Sequence, residues 1–208
     1  MIRIITVERE FGCGGGAIAA QLARRLGWTL WDQLLTDEIA HRMDCDRRNV
    51  AGLEERTDPT YYRLFKAFLR GSFEGSVNLQ RLRLVDADCV RETAQRILLE
   101  IGDAGGAVIV GRASAYYLAN RADVFHVFVY GSLRDKVTRL KATGKTEREA
   151  LDLAETVDRD RAAFLKRYFG LTWPSRHLFH LMVNSGIGDD AAVETILDAA
   201  ARVAAPQP

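Results

Sequence analysis

Glu8-Arg9-Glu10-Phe11-Gly12-Cys13-Gly14-Gly15-Gly16-Ala17-Ile18 decides how this chain is read. A short apolar run, Ile2, Ile4, Ile5 and Val7, leads into it as a buried strand. An amphipathic stretch follows at once, with Ile18, Leu22 and Leu26 spaced by four, and predicts a helix over 16–26 that Gly27 ends. Strand, glycine-rich loop and helix in that order make a cradle for phosphate. Backbone N–H groups of the loop and of the helix start point at the anion, and glycines let the backbone approach it. The usual pattern of such a loop, G-x-x-x-x-G-K-[ST], is not met. With Gly14 as the second glycine, Arg9 stands at the first-glycine position, Gly15 at the lysine position and Gly16 at the hydroxyl position. The loop has the expected shape without the expected side chains.

The composition sets wide bounds. The chain has 208 residues, 48% hydrophobic and 27% charged, enough for one full core and a small insertion. A net charge of +1 gives no bulk electrostatic case for nucleic acid or an acidic membrane. Cys13, Cys45 and Cys89 are odd in number and fit no zinc spacing, which points to a reducing compartment. The chain opens on a strand rather than a signal peptide, and no apolar run reaches ~18 residues, so the expected location is cytoplasmic. No metal-ligand spacing is present.

Further strands read at Thr29 to Trp31, Ala107 to Val110, Val124 to Tyr130 and Leu181 to Val183. Continuous apolar runs of this kind suit parallel strands covered on both faces. Helices are predicted over 86–101, 133–141, 146–168 and 189–203, the third opened by the capping box Thr146-x-x-Glu149. Residues 33–84 are irregular and helical, with aromatics from Tyr61 to Phe73 that read as the core of a subdomain. Residues 204–208 read as a frayed tail. Five strands separated by helices predict a parallel, doubly wound α/β sheet. Ligands bind such sheets beyond the carboxyl ends of the strands, where this chain carries residues 8–16, Asp32, Gly111-Arg112, Gly131-Ser132 and Asn184-Ser185.

With those segments in place, the chain resembles the nucleoside monophosphate kinases, and among them the cytidylate kinase-like family. Arg9-Glu10-Phe11-Gly12-Cys13-Gly14-Gly15 is similar to that family's opening signature R-E-F-G-S-G-G. Val108-Ile109-Val110-Gly111-Arg112-Ala113 resembles its strand-plus-G-R motif. Asp158-Arg159-Asp160-Arg161-Ala162, with Lys166 and Tyr168-Phe169-Gly170, resembles its lid, and Leu181-Met182-Val183-Asn184-Ser185 its last strand. The resemblance covers nearly the whole chain. It implies a P-loop NTPase fold of three layers in a single domain, with a core at 1–32 and 86–205, a helical acceptor-binding insertion at about 33–85 and a lid at about 158–175. It also implies transfer of the γ-phosphoryl group of ATP, with Mg²⁺, to a nucleoside monophosphate, CMP or dCMP. The partners it implies are the nucleotide substrates, with neither nucleic acid nor membrane. The alternative is a kinase-fold protein that binds a nucleotide without efficient catalysis and serves a regulatory or interaction role.

Phosphoryl transfer requires positioning and positive charge around the transferred group. Gly12, Cys13, Gly14, Gly15, Gly16 and Ala17 would bind the ATP phosphates through their backbone. Arg112, Arg159 and Arg161 are the candidate catalytic cations, and Arg112, Asp32 and Lys166 would bind the acceptor. A guanidinium at the end of a strand can grip phosphate with two hydrogen bonds. The competing reading of Arg112 is a surface pair with Asp123, that of Arg159 and Arg161 a solvated helix face, and that of Asp32 a helix cap. The family's G-R-D motif is Gly111-Arg112-Ala113 here, so its acidic member is missing. Relatives commonly carry an arginine where this chain has Gly16. Glu8 matches an acidic position at the start of the loop. Cys13, at a helix N-terminus, is the one cysteine with a case for a lowered thiol pKa, and the histidines read as structural.

Overall fold

The fold was obtained as a computed structural model, which describes residues 1–48 and 87–204. The aromatics from Tyr61 to Phe73, most of the expected acceptor-binding insertion, and the last four residues lie outside the described residues.

Strand β1 (Ile4–Arg9) runs into the glycine loop, and α1 (Gly15–Leu26) follows it. The strand β2 (Thr29–Trp31) then leads to α2 (Gln33–Arg48). After the undescribed stretch come α3 (Ala87–Ala104), β3 (Ala107–Val110) and the single-turn α4 (Ser114–Tyr117). The remainder is β4 (Val124–Tyr130), α5 (Leu133–Ala142), α6 (Glu147–Phe169), β5 (Leu181–Asn184) and α7 (Asp189–Ala204).

All five strands are parallel, in the order β2-β3-β1-β4-β5. β1 is therefore central. The chain leaves it in one direction toward β2 and β3 and in the other toward β4 and β5, so the crevice at the change of direction opens beyond β1. The expected strand at Ile2 to Val7 is shifted by two residues. Its ladder with β4 continues to Glu8↔Phe128 and Arg9↔Val129, and both charged side chains are buried. Hydrophobic patterning cannot see a strand whose last two residues are charged because they face a site.

Each face of the sheet has its own core. Ile5, Val7, Val108, Val110, Phe125 and Val127 meet Ile18 and Leu22 of α1 and Val193 and Ile196 of α7. On the other face, Ile4 and Ile109 meet Leu35 and Ile39 of α2, Ile97 and Ile101 of α3, and Phe164 and Leu165 of α6. Full burial of one such aliphatic side chain contributes about 1.5–3 kcal/mol. A third, small cluster supports the loop: Phe11 packs among Leu140 of α5 and Ala150, Ala154 and Val157 of α6. The capping box of α6 is formed as expected, with the Thr146 hydroxyl accepting from the Glu149 N–H and the Glu149 carboxylate accepting from the Thr146 N–H.

Candidate functional site

The loop is held open by backbone geometry. Gly14 stands in the left-handed region (φ 85°) as the N-cap of α1 and brings no capping side chain. Any Cβ there would also collide with the Arg139 guanidinium, 2.5 Å away. At Gly15 the reason is proximity, since a Cβ would come within 2.6 Å of Arg9 Cβ. The first turn of α1 carries no acidic residue, so its positive end faces a cavity free of a built-in anion from that turn.

That cavity has a volume of about 510 Å³, and its lining includes the glycine loop, the basic side chains of Arg9, Arg139, Lys145 and Arg161, and one acid, Glu10. Its size lies in the range of small-molecule sites. The four basic side chains come from the end of β1, from α5, from the segment after α5, and from α6. The loop has no cationic side chain of its own between Gly12 and Ala17, and these residues surround it with charge instead. Arg139 is held in place by Asp189 at the start of α7, through bonds of 2.5 and 3.1 Å.

Behind the loop lies a buried polar cluster at the carboxyl ends of β1 and β3. Glu8, Arg9, Asp32, Arg112 and Arg161 are all buried. Arg112 is delivered inward by a turn in which Gly111, Arg112 and Ala113 all adopt positive φ, 65°, 58° and 58°. Such a conformation costs a non-glycine residue about 1–3 kcal/mol, and it recurs where a side chain must be aimed. The guanidinium donates to the Thr36 hydroxyl of α2. Burial, and then the neighbouring charge of Arg9, pull Arg112 down to about 9, while Asp32 opposes the shift. Arg161 is pulled down to about 10 by the same two causes. Both stay cationic at neutral pH. Burial pushes the Glu8 carboxyl up, against the pull of Arg9, Arg161 and Arg112.

Arg161 is only 3% exposed. Its Nη1 donates to the Arg9 carbonyl and to Asp158, and its guanidinium stacks over the Trp173 ring at 5.3 Å. Among the described residues, Arg161 Nε and Nη2, Glu8 Oε1 and Ser114 Oγ are buried without a hydrogen-bond partner. Orphaned buried donors and acceptors are costly unless a ligand or water satisfies them.

The expected site residues separate into groups. Arg112, Arg161 and Asp32 come together with the loop. Asp32 directly precedes α2, and its carbonyl accepts from the Thr36 N–H. Arg112 is not a surface partner of Asp123, which pairs with Arg121 and Arg3. Arg159 does not join the cluster: its side chain is 70% exposed and lies 3.8 Å from Asp160. Lys166 is likewise exposed on α6. The case for a lowered Cys13 thiol pKa does not hold. Its side chain turns into the core beneath α1, its thiol donates to the Val129 carbonyl, and burial pushes it up to about 11. His126 and His180 form a stacked structural pair, 5.2 Å between ring centroids. Arg139 and Lys145 are not marked by any sequence signal, and Asp158 enters the sequence reading only as part of the lid-like motif, without a site role. Arg139 lies on α5, Lys145 in the connection before α6 and Asp158 on α6, each among other charges, and only the packing of these segments turns the three toward the loop.

A profile of the cytidylate kinase-like family matches residues 4–187. No curated protein matches the sequence. Among solved structures, an uncharacterised protein from Eubacterium ventriosum is similar at 20% identity and a TM-score of 0.67, covering 97% of this chain and 99% of its own. The shikimate kinase of Bacteroides thetaiotaomicron is similar at 15% identity and a TM-score of 0.51, covering 94% of this chain and 96% of its own. That of Acinetobacter baumannii, in complex with shikimate, gives 17% and 0.51, with 95% and 92% covered. At these identities the structures speak for a shared P-loop kinase fold. Among the described residues, no helix is long and apolar enough to cross a membrane, and no three His, Cys, Asp or Glu side chains group to hold a metal ion.

Proposed function

The chain belongs to the cytidylate kinase-like family, and on that premise we propose that it transfers the γ-phosphoryl group of ATP to a nucleoside monophosphate, CMP or dCMP. One observation carries the reading: four basic side chains from four parts of the fold converge on a glycine cradle at the N-terminus of α1.

In this reading the N–H groups of residues 12–17 bind the donor phosphates. Arg9, Arg139 and Lys145 supply the charge that a loop lysine supplies elsewhere. Arg161 lies between the donor cavity and the buried cluster, with Nε and Nη2 left to bind the oxygens of the group in transit. Charge developing there meets donors that are already fixed, and the protein has little reorganisation to complete. Arg112 grips the acceptor phosphate, and Glu8 and Asp32 keep the arginines oriented. Arg159 and Lys166, exposed on α6, act only if that end of the helix closes over bound nucleotide. Magnesium enters as the counter-ion of the nucleotide substrate. Gly16 offers it no hydroxyl, and among the described residues no acidic trio is built for it.

The test is ATP-dependent phosphorylation of a panel of nucleoside monophosphates. CMP or dCMP is expected to be the best acceptor. Arg161→Ala is expected to lower kcat/KM by about 10²–10³, and Arg159→Ala to change it by no more than about twofold, as for other solvated surface positions. ATP binding with no transfer to any acceptor would favour the regulatory reading, which the bare Gly15-Gly16 pair supports.

A further inference from the structure

The glycine loop is held from outside, by a carboxylate on a helix far along the chain. Both oxygens of Asp158 accept from the Phe11 N–H, at 2.9 and 3.0 Å. The same carboxylate takes Arg161 Nη1 at 2.7 Å and stands 3.6 Å from Lys136 Nζ. Arg161 Nη1 also donates to the Arg9 carbonyl at 3.0 Å. The backbone is thus tied to α6 on both sides of Glu10. Glu10 itself pairs with Lys136 at 2.6 Å and accepts from the Gly131 N–H.

We infer that Asp158 is a positioning residue for the donor phosphates, acting as a latch that fixes the loop backbone in its phosphate-binding shape. The inference rests on the reading of the adjoining cavity as the donor site. A carboxylate present only to neutralise Arg161 would have no reason to take a loop N–H with both oxygens. By holding the Phe11 N–H, Asp158 sets where the N–H groups of residues 12–17 begin to turn toward the cavity. Packing of the Phe11 ring keeps that residue near α6 but does not orient its amide. Orientation matters here, since a displacement of about 1 Å in a positioned group can cost roughly 10² in rate. In a loop without a lysine, the backbone donors carry a larger share of binding, and the latch matters correspondingly more.

The experiment is calorimetric titration of ATP into wild type and Asp158→Asn, with steady-state kinetics and amide exchange at Phe11 in the ligand-free proteins. Loss of a charge-assisted hydrogen bond predicts about tenfold weaker ATP binding in the variant. The KM for ATP rises in parallel, and the KM for the acceptor stays within about twofold. Phe11 exchanges slowly in wild type and faster in the variant, by more than the change in global stability explains. Equal ATP affinity in the two proteins would overturn the latch. So would Phe11 exchange at the rate of an open loop in wild type, a measurement that still decides if the variant fails to fold. If wild type binds no ATP, the donor-site reading fails separately, and the exchange data alone judge the latch.

Discussion

Arg159 and Arg161 lie two positions apart on one helix and have opposite environments. Two residues of an α-helix span about 200°, so one side chain enters the core of the site while the other meets water. The sequence makes both arginines candidates and gives no means of choosing between them. Arg112 was easier to read, because an arginine just past an apolar strand of a parallel sheet lands in the ligand crevice. Arg139 and Lys145 were illegible for the opposite reason: nothing local marks which charge on α5, or after it, faces the loop. His126 gives a prediction at this scale. It is buried beside the Thr6 hydroxyl, 2.7 Å from Nδ1, and under the His180 ring. Burial first, and His180 second, lower it to about 4. An unfolded histidine takes up its proton near 6.5, while folded His126 stays neutral until about pH 4. As pH falls below about 6.5, the unfolded chain gains a proton that the native protein refuses, and stability falls. Urea midpoints of wild type are expected to drop between pH 6.5 and 5, with a shallower slope in His126→Gln. An identical slope in the variant would assign the effect elsewhere.

Among the elements, α6 joins the most parts of the site. Its capping box starts it at Glu147, its buried face closes both the loop cluster and the core of Ile4 and Phe164, and Asp158 and Arg161 project from it to the loop backbone. The box was legible because its two partners are three residues apart in sequence. The use of Asp158 was not, because its partner Phe11 is 147 residues away. Thr146→Ala is expected to cost about 1 kcal/mol, read as a lower urea midpoint with an unchanged slope. A variant as stable as wild type would mean that the helix start is held by packing instead. Strand β1 shows the complementary limit. Its apolar half was plain, and its last two residues were missed because function overrides hydrophobic patterning there.

For the whole molecule, five short apolar runs between helices were enough to predict the parallel sheet. The order β2-β3-β1-β4-β5 was not written in any one of them. It follows from which faces find partners, and it places β1 at the centre with the loop at its end. Every cation of the candidate site reaches that point from a different part of the chain. The central claim is that this convergence replaces the missing loop lysine. Calorimetric titration of ATP, with adenosine as the control for the base and sugar, tests it most directly on wild type and Arg139→Met. The account predicts that wild type binds ATP far more tightly than adenosine, and that Arg139→Met weakens ATP by about tenfold, as expected for a hydrogen bond to a charged group, while leaving adenosine unchanged. ATP binding no tighter than adenosine, or an Arg139→Met protein that binds ATP like wild type, would contradict it.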